Sequence, residues 1–154
     1  MSGPADRLAA LGLTLPPVTA PVAAYVPAVR TGPYVYVSGQ LPVVDGKLPA
    51  TGKVGDAVSA ADAAGMARTC ALNALAAAAA AAGGLEAISR IVKVTGFVAS
   101  APGFTGQPQV INGASELLIE VFGEQGRHAR SAIGVAELPL NAPVEVELIA
   151  EVRG

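Results

Sequence analysis

The chain has 154 residues, of which 52% are hydrophobic and only 14% are charged, and its formal net charge is −2. A chain of this length is most simply one domain that buries roughly two thirds of its unfolded surface. We therefore expect one domain over residues 1–154, with residues 1–24 as an N-terminal helical and Pro-rich arm. The ten basic residues are scattered along the chain, which argues against the basic face of a nucleic-acid-binding protein.

Cysteine use and hydropathy favour a cytoplasmic protein that does not bind a membrane. Cys70 is the only cysteine, so an internal disulfide is excluded and a reducing compartment is expected. The N-terminal residues lack the long apolar segment of a secretory signal. The alanine run at 76–82 is too short to span a bilayer. The low charge is explained by alanine content together with surface covered by copies of the chain.

The first half of the chain predicts a short helix, two strands and one long helix. The short helix is expected over Pro4–Leu11, and the strands over Tyr25–Val29 and Tyr34–Ser38. Ser59 has the character of a helix N-cap, with an acidic residue three positions later. The alanine-rich helix that follows is expected to end at Gly83, the residue type preferred after a helix C-terminus.

The second half predicts a long strand, a second helix and two further strands. The strand covers Ile88–Ser100, with Gly96 as a bulge or a point of close approach. Pro108 suits the first turn of the helix, and Gly123 ends it. The apolar stripe of this helix consists of Val110, Ile111, Ala114, Leu117, Leu118 and Val121.

The order β-β-α-β-α-β-β predicts an α+β fold, a mixed sheet with both helices packed on one face. The other face would be bare unless another subunit covered it. The last two strands flank a short turn at residues 138–143, so we expect them to be neighbours in the sheet.

Several motifs together resemble the reactive intermediate deaminase family, the Rid or YjgF-like group that is also labelled L-PSP endoribonuclease-like. They are YVYVSGQLP at 34–42, Asn73, IVKVTGFV at 91–98, Asn112, and the RSAIGVAELP…VEVE pattern from Arg130 to Glu147. The resemblance covers about residues 20–152. It implies a chorismate-mutase-like fold and a homotrimer with clefts between subunits. The implied reaction is hydrolysis of 2-imino or 2-enamino acids to 2-keto acids and ammonia, with no metal and no cofactor.

The resemblance also implies roles for five residues. Arg130 would hold the substrate carboxylate, and Glu145 would position the attacking water. Tyr25, Ser38 and Asn112 would line the substrate pocket.

The chemistry of these residues fits the implied roles, although each has a plainer interpretation. A guanidinium binds a carboxylate through two parallel hydrogen bonds, whereas most arginines pair with a surface acid. Glu145 alternates with Val144 and Val146, so it points away from their face and could be solvated or face a pocket. His128 lies between Arg127 and Arg130, which favours a loop or pocket-rim position over a general base.

With the roles that the resemblance implies, strand geometry leads us to expect that Arg130 and Glu145 of one site come from different subunits. In a simple hairpin of the last two strands, Arg130 would lie opposite Glu151. Glu145 would then be about six residues away, or roughly 20 Å at about 3.3 Å per residue. One small ligand could not contact both side chains within a single chain.

Two other functions remain open at the level of sequence. The same cleft could bind a keto acid or another metabolite without turnover, as a non-catalytic trimer. The endoribonuclease function named by one family label is the weakest alternative, because a net charge of −2 and a single histidine offer neither an RNA-binding track nor an acid–base pair.

Overall fold

The computed structural model of the chain describes residues 2–18 and 23–154. Its helices and strands follow the predicted order, with the short helix first. The elements are α1 (Pro4–Ala10), β1 (Ala28–Thr31), β2 (Tyr34–Gln40), α2 (Ala60–Ala82), β3 (Ile88–Ala99), α3 (Gln107–Phe122), β4 (Ala129–Val135) and β5 (Val144–Val152). Short 3-10 helices cover Leu85–Ala87, Gly123–Gly126 and Pro139–Asn141. Residues 19–22 of the predicted Pro-rich arm lie outside the described residues.

One mixed sheet forms in the order β1-β2-β5-β3-β4. β3 and β4 are parallel, and the other three pairs are antiparallel. Side chains of α2 and α3 form one hydrophobic core with alternate residues of the strands. The predicted α+β architecture, with both helices on one face of the sheet, is confirmed.

The prediction that β4 and β5 are neighbours was wrong, because β3 lies between them. The chain leaves the end of β3, returns through α3 and enters β4 in the same direction, as parallel neighbours joined by a helix require. The other edge of β3 then pairs with β5. The turn at Pro139–Asn141 therefore crosses the end of β3 and does not close a hairpin.

Local signals fix the ends of α2. The Ser59 hydroxyl accepts a hydrogen bond from the backbone N–H of Asp62 at 3.1 Å, and Gly83 ends the helix in the left-handed conformation at φ 94°. The alanines let α2 pack closely, and most of the run from Ala74 to Ala82 is buried. No helix in the described part of the chain combines the length and apolarity that crossing a membrane requires.

α3 packs its predicted apolar stripe against β3, and each residue of the stripe is buried. A Cβ atom at Gly96 would overlap the Ile111 side chain, which confirms the prediction of a close approach at this glycine. Pro108 occupies the first turn of α3, as predicted.

β1 begins three residues later than predicted, at Ala28 and not at Tyr25. Pro27, just before the strand, has no N–H to donate to a neighbouring strand. Its carbonyl instead accepts a hydrogen bond from the backbone N–H of Ser38 at 2.8 Å. Tyr25 therefore lies in a bend before the sheet and is 55% exposed.

The sheet face that the helices leave uncovered, which we term the open face, carries large apolar side chains. Val29, Tyr36 and Ile133 are 52%, 47% and 44% exposed, and each alternates with residues directed toward the helices. Exposed large apolar side chains that share one sheet face are typical of a surface through which proteins associate.

Candidate functional site

Arg130 is the second residue of β4, and its position in the sheet directs its side chain toward α3. Its Cα pairs with that of buried Val94, and directly paired residues share a face. The guanidinium meets two side chains of α3: Nη1 donates to Asn112 Oδ1 at 2.7 Å and to Ser115 Oγ at 3.3 Å. Nη2 donates to the carbonyl oxygen of Pro108 at 3.4 Å. The structure thus brings Arg130 and Asn112 together.

All three acceptors around Arg130 are neutral. None of the ion pairs within residues 2–18 and 23–154 includes Arg130. A guanidinium has five N–H donors, and the contacts above use both hydrogens of Nη1 and one of Nη2. The Nε hydrogen and the second Nη2 hydrogen have no partner among these residues. Such adjacent donors can bind both oxygens of one carboxylate.

His128 and Ser115 extend the hydrogen-bond network behind Arg130. His128 Nε2 lies 2.8 Å from Ser115 Oγ, and Nδ1 lies 2.6 Å from the carbonyl oxygen of Gly126. Burial lowers the pKa of His128, the hydrogen bond to Gly126 partly opposes this, and the Arg130 charge adds a smaller lowering effect. His128 lies in the loop before β4, as expected from the sequence, and its surroundings favour the neutral imidazole.

Ser115 is a member of this network that the sequence motifs did not indicate. It is buried, with 9% of its surface exposed. The spacing of three residues between Asn112 and Ser115 places both on one face of the helix, and this spacing was the available signal.

Glu145 lies on β5, half-buried, and it points away from the buried Val144 and Val146. Burial raises the pKa of Glu145, and the neighbouring Glu147 carboxylate raises it further. Its carboxyl group lies against Gly39, where an added Cβ atom would be 2.8 Å from Glu145 Cδ. Glycine in the Ser-Gly-Gln motif is thus explained by the space that the carboxyl group occupies.

Ser38 and Tyr25 lie on the same side of the molecule as Gly39. The pairing of β2 with β5 is irregular between Val37 and Gln40, so Ser38 and Gly39 form a bulge beside Glu145. The Ser38 hydroxyl donates to the carbonyl oxygen of Val26 at 2.7 Å. Tyr25 and Gly39 both line a cavity of about 530 Å³ that also includes Leu72 and Asn73 of α2.

The five predicted site residues thus form two separate groups in one chain. Arg130 pairs with Val94, which pairs with Leu148, three residues from Glu145. Two strand spacings and three residues of offset separate the Arg130 and Glu145 Cα atoms by roughly 14 Å. Val94 faces the helices, whereas Phe97, the partner of Glu145, alternates to the open face. The two side chains therefore leave opposite faces of the sheet.

Comparison with known proteins places this architecture in one family. The chain matches the family described as "YjgF/chorismate mutase-like, putative endoribonuclease" over residues 5–152. It is 45% identical over 150 residues to Protein TCP17 of Trypanosoma cruzi, an alignment that covers 97% of this chain and 94% of that protein.

Two solved structures extend this comparison. The protein Atu1372 of Agrobacterium tumefaciens, described as of unknown function, is 50% identical with a TM-score of 0.90, over 97% of this chain and 92% of that chain. TdcF of E. coli with bound serine is 30% identical with a TM-score of 0.63, over 89% of this chain and 94% of that chain. The chain therefore belongs to the YjgF/chorismate mutase-like family.

Proposed function

We propose that the protein hydrolyses reactive 2-imino and 2-enamino acids to 2-keto acids and ammonia, in clefts between the subunits of a homotrimer. The observation that carries the proposal is the state of Arg130. Its guanidinium is held by neutral acceptors and keeps two adjacent N–H donors for a carboxylate. The E. coli relative whose structure contains serine binds a small molecule with an α-carboxylate, the same group that we assign to Arg130.

The division of the predicted residues into two groups supports a shared site. One protomer would contribute Arg130 and Asn112, and its neighbour would contribute Glu145, Ser38 and Tyr25. The exposed apolar side chains of the open face supply a surface through which subunits could associate.

The proposed reaction begins with attack of water on the imine carbon. Glu145 accepts a proton from that water as the C–O bond forms, and the C=N electron pair moves to nitrogen, which takes this proton from Glu145. Glu145 then transfers the hydroxyl proton of the resulting carbinolamine to its nitrogen, and the C–N bond breaks to release ammonia as the oxygen forms the new C=O bond. An ionised carboxylate with a raised pKa is a stronger base than an ordinary glutamate, which favours this role.

The test uses an imine produced in situ and trapped by semicarbazide. An amino-acid oxidase generates 2-iminobutyrate or 2-iminopropionate, and the protein should reduce the amount of semicarbazone by hydrolysing the imine first. Arg130→Ala should abolish this effect, and Arg130→Lys should lower kcat/KM by about 10–100-fold because a point charge replaces a planar fork. Arg30→Ala is the matched control and should behave as wild type, because it removes an exposed arginine of β1 whose partner Val35 is buried, away from the open face.

Equal semicarbazone formation with and without wild-type protein would contradict the enzymatic proposal. If wild-type protein then bound 2-oxobutyrate in calorimetry and Arg130→Ala did not, the function would be non-catalytic binding of a keto acid by the trimer.

A further inference from the structure

We propose that His128 is a positioning residue that acts through Ser115 to fix the Arg130 guanidinium in its carboxylate-binding orientation. The inference rests on the proposed function of Arg130 and adds two residues to that site. It starts from an unbroken chain of hydrogen bonds from Gly126 through His128 and Ser115 to Arg130.

The chemistry of the partners fixes the position of each proton in this chain. The carbonyl oxygen of Gly126 can only accept, so Nδ1 of His128 carries the proton and donates to it at 2.6 Å. In a neutral imidazole Nε2 is then an acceptor, and the Ser115 hydroxyl donates to it at 2.8 Å. The Ser115 oxygen keeps its lone pairs for Arg130 Nη1 at 3.3 Å.

This series of hydrogen bonds requires a neutral His128 imidazole, and the surroundings of His128 favour that form. Burial lowers the pKa of His128 by more than the hydrogen bond to Gly126 raises it, and the Arg130 charge lowers it slightly further. Arg127, the preceding residue, is paired with Glu124 at 3.1 Å. On α3, Glu120 is paired with Arg68 at 3.0 Å, and exposed Glu116 follows Ser115 directly in the chain.

His128 matters because a serine hydroxyl rotates freely when nothing accepts its hydrogen. Without the imidazole, the Ser115 O–H could point toward the guanidinium, and its positive end would repel that cation. With His128 as acceptor, the hydroxyl hydrogen is turned away and an oxygen lone pair faces Nη1. The Asn112 amide, whose Oδ1 accepts from the same Nη1 at 2.7 Å, completes the orientation.

Two substitutions of His128 distinguish the role of Nε2 from the role of Nδ1. Glutamine places a carbonyl oxygen near the position of Nε2, whereas asparagine places its amide near Nδ1. His128→Gln should therefore retain the acceptor for Ser115, and His128→Asn should lose it while keeping a donor for Gly126. Ser115→Ala removes the link itself.

We expect His128→Asn and Ser115→Ala to raise KM and the Kd for 2-oxobutyrate roughly tenfold, the loss of one hydrogen bond to a charged group. The kcat should change little, because carboxylate binding contributes to the substrate complex and the transition state alike. For His128→Gln, KM and Kd should stay within about threefold of the wild-type values, because the hydrogen bond from Ser115 is retained. Equal effects of the Gln and Asn variants, or a fall in kcat alone, would overturn the proposal.

A second measurement tests the hydrogen bonds between Gly126, His128, Ser115 and Arg130 in the absence of any ligand. His128 is the only histidine, so its ¹⁵N signals are unambiguous. They should report the Nδ1–H tautomer at neutral pH, and Ser115→Ala should shift the Nε2 resonance. The Arg130 Nε–H signal, identified by its loss in Arg130→Lys, should exchange faster with water in His128→Asn than in His128→Gln.

An Nε2–H tautomer in the wild-type protein would refute the hydrogen-bond direction and with it the positioning role. If wild type neither binds 2-oxobutyrate nor hydrolyses imines, the proposed function fails. The tautomer and the Arg130 exchange rate would then still decide whether His128 orients the guanidinium.

Discussion

At the scale of single residues, the chain places its two key charges in contrasting surroundings. Arg130 is surrounded by oxygen acceptors that stabilise a cation without neutralising it. Glu145 is half-buried beside a second carboxylate, and both conditions disfavour its ionised form. In the proposed mechanism, the first environment suits the binding of an anion and the second suits a carboxylate that accepts a proton.

The raised pKa of Glu145 has a consequence for stability. Between the unfolded and the folded pKa, the folded protein binds more protons at this group than the unfolded chain does. The free energy of unfolding therefore falls as pH rises through that interval. Above the folded pKa, the ionised Glu145 carboxylate destabilises the folded protein to its full extent.

Glu145→Gln removes this cost together with the proposed base. We expect imine hydrolysis to fall by about 10²–10⁴-fold, the usual contribution of a general base. The variant should unfold at a higher urea concentration than wild type at neutral pH, and the difference should shrink as pH falls below the raised pKa.

Glu151→Gln is the matched control, since it changes a glutamate of the same strand with the same alternation. It should leave hydrolysis unchanged. A Glu145→Gln variant with wild-type activity would remove Glu145 from the mechanism.

At the scale of elements, the closeness of α3 to β3 depends on Gly96. An alanine there would overlap the Ile111 side chain in a fully buried region. We expect Gly96→Ala to lower the free energy of unfolding by about 1–3 kcal/mol through overpacking. Adding Ile111→Val should recover part of this loss, as measured by urea denaturation at constant protein concentration.

Gly65→Ala makes the same chemical change as Gly96→Ala, but we expect it to raise the free energy of unfolding. Gly65 is exposed on α2, and an added Cβ atom there meets nothing within 4 Å. Because alanine loses less conformational freedom in a helix, this variant should be more stable by about 0.5–1 kcal/mol. Destabilisation of equal size at both glycines would show that close packing is not the reason for Gly96.

At the scale of the whole molecule, the open face predicts association. Tyr36→Lys places a charge among exposed apolar side chains and should dissociate the proposed homotrimer, as measured by sedimentation velocity. Activity should fall with it, because Arg130 and Glu145 lie on opposite faces of one chain and would no longer share a cleft.

Leu140→Lys is the control for this experiment. Leu140 is 74% exposed in the turn between β4 and β5, so the variant should assemble and react as wild type. A wild-type protein that is monomeric and fully active in dilute solution would contradict the shared-site arrangement.

Local patterns in the amino-acid sequence were sufficient to predict the order of helices and strands and the chemical groups of the candidate site. Helix caps at Ser59 and Gly83, the apolar stripe of α3 and the alternation around Glu145 are local patterns, and each was confirmed because it depends on residues a few positions apart.

Strand order and hydrogen-bond partners depend on how the whole chain packs, and they became known from the folded structure alone. The insertion of β3 between β4 and β5 follows from the course of the chain through α3, which no local pattern records. The contacts of Gly39 with Glu145, and of His128 with Ser115, join residues from different elements. Side-chain periodicity shows which residues of a strand share a face of the sheet. Which strand lies beside it, and in which register, is set by packing of the whole chain.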